Sequence, residues 1–235
     1  MSFFSAVGSF FSSVGSAISS AVSAIGSALS SFATGVAAAL GTLITALSPV
    51  AEAVGKFANS FLQGLGILKP NETASDLGER ALQAAEQGIT PEKFEKFDDY
   101  MAELREFEVD PEVSEKRNPA EKLVAGLGVG TVGVEDKCNV ERGSLNGLWL
   151  LPIANAAYFT PERMQNLVMA GKLSGDIFAY LEKRLSGGEA RSFEKRLELD
   201  LSGHELDELY EGLDKAKENW DDLTKQAEAK NQPTS

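Results

Sequence analysis

Large apolar residues open the chain at helical spacing. They fall at Phe3, Val7, Phe10, Val14, Ile18, Val22, Ile25, Leu29, Phe32, Val36, Leu40, Leu43 and Leu47, in steps of three or four throughout. The 44 residues from first to last take 12 steps, a mean of about 3.67, which is the eleven-residue period. Its register reads Phe3, Val14, Ile25, Val36, Leu47, with a second row Val7, Ile18, Leu29, Leu40 and a third Phe10, Ala21, Phe32, Leu43. The pattern predicts one long helix whose apolar seam runs nearly straight. Small residues lie between the rows, many of them four apart, as in Ala17/Ala21, Ala24/Ala28 and Ala37/Gly41. That spacing lets helix backbones approach closely, the usual packing device inside membranes.

Ser48-Pro49 interrupts the pattern and opens a new helix, with Ser48 as its cap and Pro49 in its first turn. Val50, Val54, Phe57, Phe61, Leu62 and Leu65 continue an apolar face until Gly64, Gly66 and Lys69-Pro70 end it. This places a boundary at about residue 70, between an N-terminal helical segment (1–70) and a second, mostly helical region (71–235). Thr90-Pro91-Glu92, Asp110-Pro111-Glu112, Asn118-Pro119-Ala120-Glu121 and Thr160-Pro161-Glu162 each put a capping oxygen before a proline at the first helical position. Helices are expected over 73–87, 91–108, 119–125, 161–171, 175–186, 188–198 and 203–229. Residues 126–158 are rich in glycine and valine, and a loop or short hairpin is expected there. The last helix carries a seven-residue pattern, Leu206, Leu209, Leu213, Ala216, Trp220, Leu223 and Ala227. That pattern suits either a coiled-coil seam or one amphipathic helix on its own domain. The fold class is therefore mainly α: a long Ala/Ser/Gly-rich helix followed by a small acidic helical domain.

Charge sharpens this division. The chain has 235 residues, with 22 Lys+Arg against 35 Asp+Glu and a net charge of -13. None of that charge lies in residues 1–51, where the side chains of Lys, Arg, Asp, Glu and His are all absent. A helix on the surface of a soluble protein carries charge on its outer face, so this segment points to burial in an assembly or in lipid. Gly and Ser make a lone helix weak in water. Leu29–Leu47 is the stretch best suited to span a bilayer, since roughly 20 residues cross the hydrocarbon core. A monomer exposing the whole seam would show far more apolar surface than soluble proteins tolerate, which predicts a homo-oligomer. The acidic balance of the rest argues against gripping nucleic acid through its phosphates.

Candidate chemistry is sparse. One Cys (Cys138) excludes an intrachain disulfide and a cysteine-based zinc module, and one His (His204) excludes most histidine constellations. Gly128-Val129-Gly130-Thr131-Val132-Gly133 matches GxGxxG, but a dinucleotide site needs a preceding strand. A glycine-rich turn or hinge is the better reading. His204-Glu205-Leu206-Asp207-Glu208 has Glu208 where a zinc-protease helix needs its second His. Asn71-Glu72-Thr73 is a glycosylation sequon that matters only in a secreted eukaryotic protein. No enzyme activity, cofactor or metal is expected.

Residues 2–68, with Phe3-Phe4, the repeated Val-Gly-Ser at 7–9 and 14–16 and the uncharged Ala/Gly/Ser run, resemble the N-termini of virion penetration proteins. These are the DNA pilot proteins of small tailless phages and the ejection proteins of tailed phages. The resemblance implies a bacteriophage structural protein, found in the virion and then in the host cell envelope. It would oligomerise through its N-terminal helices and help penetrate the envelope or form a conduit for the genome. The implied partners are copies of itself, other virion or tail proteins and host membrane lipid. The seam would run through Phe3, Val7, Phe10, Val14, Ile18, Ile25, Leu29, Phe32, Val36, Leu40, Leu43 and Leu47, with a second surface at Leu206, Leu209, Leu213, Trp220 and Leu223. Two other classes fit the same N-terminus: a bacterial pore-forming toxin or secreted effector, and a soluble helical scaffold.

Overall fold

The computed structural model describes residues 34–230. Among these residues there are eleven α-helices and no strand. The N-terminal pair is α1 (Thr34–Ala46) and α2 (Ser48–Gly64). Then come α3 (Ala74–Glu86), a 3-10 turn (Pro91–Lys93), α4 (Phe97–Glu106), α5 (Pro111–Lys116) and α6 (Pro119–Cys138). The chain closes with α7 (Leu150–Ala154), α8 (Pro161–Met169), α9 (Ile177–Leu181), α10 (Gly187–Glu198) and α11 (His204–Lys230).

The helix starts follow the capping chemistry. The side chains of Thr73, Asp110, Asn118 and Thr160 each accept a backbone N–H from the first turn they precede. Ser186 and Glu189 close a reciprocal capping box on α10. Ser48 is the first residue of α2 and Leu47 its cap, so the proline there sets the backbone without a side-chain cap. The expected helix over 91–108 is broken. Phe94 and Lys96 are extended, which turns the rings of both Phe94 and Phe97 onto Tyr100, at 5.5 and 6.1 Å.

The glycine-rich stretch corrects the sequence reading most. Residues 126–138 are neither loop nor hairpin: α6 runs unbroken from Pro119 to Cys138, and all its residues from Leu123 to Glu135 are buried. Asn139, in the left-handed conformation at φ 52°, ends it. The physical reason is a close antiparallel crossing with α3. A Cβ on Gly126 would lie 1.7 Å from the Ala74 carbonyl oxygen, and one on Gly78 would lie 1.8 Å from the Lys122 carbonyl oxygen. Glycine therefore lets two backbones touch, and this tertiary gain outweighs its helix penalty of about 1 kcal/mol per residue. Gly130 faces Leu62 of α2 and Gly133 faces Phe97 of α4 in the same way. The GxGxxG run is thus part of one buried helix, with no strand before it and no helix N-terminus within it.

Helices on both sides of residue 70 share one hydrophobic core, which takes in Leu40, Phe61, Leu82, Leu127, Trp149 and Trp220. The core runs across the boundary expected at residue 70. The heptad positions of α11 face that same core: Leu209, Leu213, Ala216, Trp220 and Ala227 are buried, and Leu206 and Leu223 half-buried. Here α11 lies against α1, α7, α9 and α10 of its own chain.

Candidate functional site: the buried root of the uncharged segment

The uncharged segment reaches the described structure as α1, whose sequence TGVAAALGTLITA has no charge on any face. A helix apolar all round must be enclosed, and the middle of α1 is. Val36, Ala37, Ala38, Ala39, Leu40 and Gly41 are consecutive buried residues, so every side of those turns is covered. The covering elements are α2, α6 and α11. Thr42 returns its hydroxyl to the Ala38 carbonyl at 2.9 Å, so its one polar group is satisfied within the helix.

The predicted seam divides here. Val36, Leu40, Leu43 and Leu47 are 3%, 0%, 2% and 5% exposed, and it is this chain's own core that covers them. Phe3, Val7, Phe10, Val14, Ile18, Ile25, Leu29 and Phe32 lie outside the described residues. So does the first part of the spanning candidate Leu29–Leu47, whose described portion is the thirteen-residue α1 and Leu47. Among the described residues no helix is long and apolar enough to cross a membrane.

The first turn of α1 lines a cleft of about 400 Å³ together with Gly143, Ser144, Asn146 and Gly147 from the loop after α6, and Gly175 to Phe178 at the start of α9. Each wall is fixed by a specific contact. Gly35 sits against the Phe178 ring, which meets Trp220 edge to face at 6.0 Å. Asp176 caps α9 by accepting the Ala179 N–H at 2.8 Å. The loop wall hangs on Glu135, 1% exposed on the last turns of α6. One of its carboxylate oxygens accepts the backbone N–H groups of Gly143 and Leu145, both at 2.9 Å. Burial pushes the Glu135 carboxyl above the usual glutamate value, and the two N–H bonds and the nearby Arg142 only partly oppose this. One turn earlier on α6, Thr131 accepts the Trp149 indole N–H at 2.8 Å and donates to the Leu127 carbonyl. The Trp149 ring in turn meets Phe61 edge to face at 5.5 Å. Asn155 ties α7 to α11 by donating to the Gly212 carbonyl at 3.0 Å.

The remaining chemical candidates are scattered. His204 is exposed at the first position of α11, and its Nε2 lies 3.2 Å from Glu208. Cys138 is half-buried at the end of α6, with its Sγ 3.9 Å from the Met169 Sδ, and burial pushes its thiol up. A raised thiol is less reactive, since the thiolate is the nucleophile. Among the described residues no cluster of three His, Cys, Asp or Glu side chains is placed to hold a metal ion. No sequence motif marks Glu135, Thr131 and Trp149 as a set. The signal was present: Thr131 and Glu135 stand four apart on one helix face, but only if the glycine run is read as helix.

No protein family, no curated protein and no solved structure matches this chain.

Proposed function

We propose that this chain is a bacteriophage virion protein in which a helical body roots an uncharged N-terminal arm. The arm associates with copies of itself and enters or bridges the host envelope when the genome is delivered. The observation that carries this reading is the burial of α1: the charge-free stretch passes through a helix whose residues 36–41 are enclosed on every side. An arm that must bear on a membrane or on a neighbouring arm needs such a root, because a lone Ser/Gly-rich helix has little stability in water. The acidic surface of the body, 11 acids against 4 bases over residues 198–235, keeps it soluble and off nucleic acid.

The test is the composition of purified virus particles from the host of origin. Peptides covering residues 74–230 should be found by mass spectrometry in particles that still hold their genome, and should be depleted after ejection. Their absence from purified particles would overturn the virion reading.

A further inference from the structure

From Arg105 to Pro119 the chain runs fifteen residues without one buried side chain. The helix inside this stretch, α5, contributes nothing to the core. Its one apolar side chain packed on the core is the half-buried Phe107, and polar contacts hold the rest of the segment on α3. Arg80 Nη1 reaches the carbonyl oxygens of Leu104, Arg105 and Phe107 at 3.2, 3.0 and 3.5 Å. Gln83 grips Asp110 twice, its Oε1 accepting the Asp110 N–H at 2.8 Å and its Nε2 donating to the Asp110 carbonyl at 3.1 Å. Arg117 closes the far end, with Nε 3.2 Å from Glu79 Oε1 and Nη2 3.1 Å from Glu86 Oε1. Lys122 of α6 donates to Ser114 Oγ at 2.8 Å and stands 3.6 Å from Glu79 Oε2.

Underneath lies the opposite kind of contact, the backbone-to-backbone crossing of α3 and α6 at Gly78 and Gly126. Segments with few buried apolar contacts open at low free energy, while cores open only with the whole molecule. The Arg117–Glu86 pair, with Glu86 exposed, also weakens with salt, which apolar packing does not. We propose that residues 108–118 form a detachable clasp on the α3/α6 pair, anchored at its start by Phe107. The clasp opens as a unit and uncovers Glu79, Gln83 and Lys122 while the glycine-packed helices stay folded. This inference does not depend on the function proposed above.

Native-state hydrogen exchange on the full chain tests it. The Asp110 amide, which bonds to Gln83, and the amides of Ser114 and Arg117 should exchange together. Their rate should be about a hundredfold faster than that of residues 123–134 of α6. Molar salt should speed the clasp amides and leave α6 unchanged. Gln83→Met removes both bonds to Asp110 and a third to the buried Glu79 at 2.6 Å, which keeps Arg117 and Lys122 as its charge partners, and should speed clasp exchange about tenfold at constant α6 protection, since each lost factor of ten reports a population shift of the open form. Clasp amides that exchange in step with α6 would overturn the proposal. So would clasp rates that ignore both salt and Gln83→Met, or Asp110 and Arg117 amides that open independently. Exchange of the unaltered protein decides the matter even if the variant folds poorly.

Discussion

A methyl group added at residue 126 would land 1.7 Å from the Ala74 carbonyl oxygen, an impossible distance. Gly126→Ala must therefore push α3 and α6 apart, and the account predicts a loss of about 3 kcal/mol in urea unfolding. Gly188, in the first turn of α10, has open space where its Cβ would stand. Gly188→Ala should be neutral or stabilising by up to ~1 kcal/mol. Equal effects at the two positions would contradict the close crossing. Glu135 makes a pH prediction. Its folded-state pKa lies above the ordinary value of 4.5 because burial disfavours the charge. The native state thus holds this proton more tightly than the unfolded chain does. The stabilisation it provides is full below 4.5 and is lost as pH rises through the raised folded value. Unfolding free energies of the wild type and Glu135→Gln, measured from pH 7 down to 4, should diverge in favour of the wild type on acidification. A constant difference would show that burial does not control this group.

At the scale of elements, the helix starts were legible because their chemistry is local. A capping oxygen, a proline and an acid in four residues identify Asp110, Asn118 and Thr160 without any knowledge of the fold. The course of α6 was not legible for the converse reason. Gly126, Gly130 and Gly133 are read locally as breakers, and what makes them helical is Ala74, Leu62 and Phe97 from three other elements. The same limit applies to the seven-residue row on α11, which a partner helix or the chain's own core can fill equally well. Phe178, Asn155 and the other contacts of α11 show its own core filling it. Two variants separate element-level roles. Leu40, fully buried in α1, should not tolerate Leu40→Asp: an uncompensated buried charge costs about 3–5 kcal/mol, which should lower the thermal midpoint by roughly 6–20 °C or prevent folding. Trp220→Ala should cost about 3–5 kcal/mol through the cavity it leaves against Phe178. Near-native melting of Leu40→Asp would mean that α1 is not part of the core.

For the whole molecule, one boundary in charge and one continuous core do not coincide. Residues 1–51 carry no charge, yet the core takes in α1 and α2 from that stretch and its continuation. The seam thus has an inner part, from Val36 to Leu47, that the chain covers itself, and an outer part, from Phe3 to Phe32, for which self-association and lipid are proposed. Charged substitutions in the two parts should fail differently, the inner by unfolding and the outer by loss of assembly or lipid contact at constant fold. The measurement that tests this most directly is dye release from lipid vesicles by the full chain and by Ile25→Asp, each with its thermal midpoint recorded. The account predicts release by the wild type, about tenfold or more weaker release by Ile25→Asp because burying a carboxylate in hydrocarbon is costly, and the same thermal midpoint for both. Equal release by the two proteins, or no release by the wild type, would contradict it.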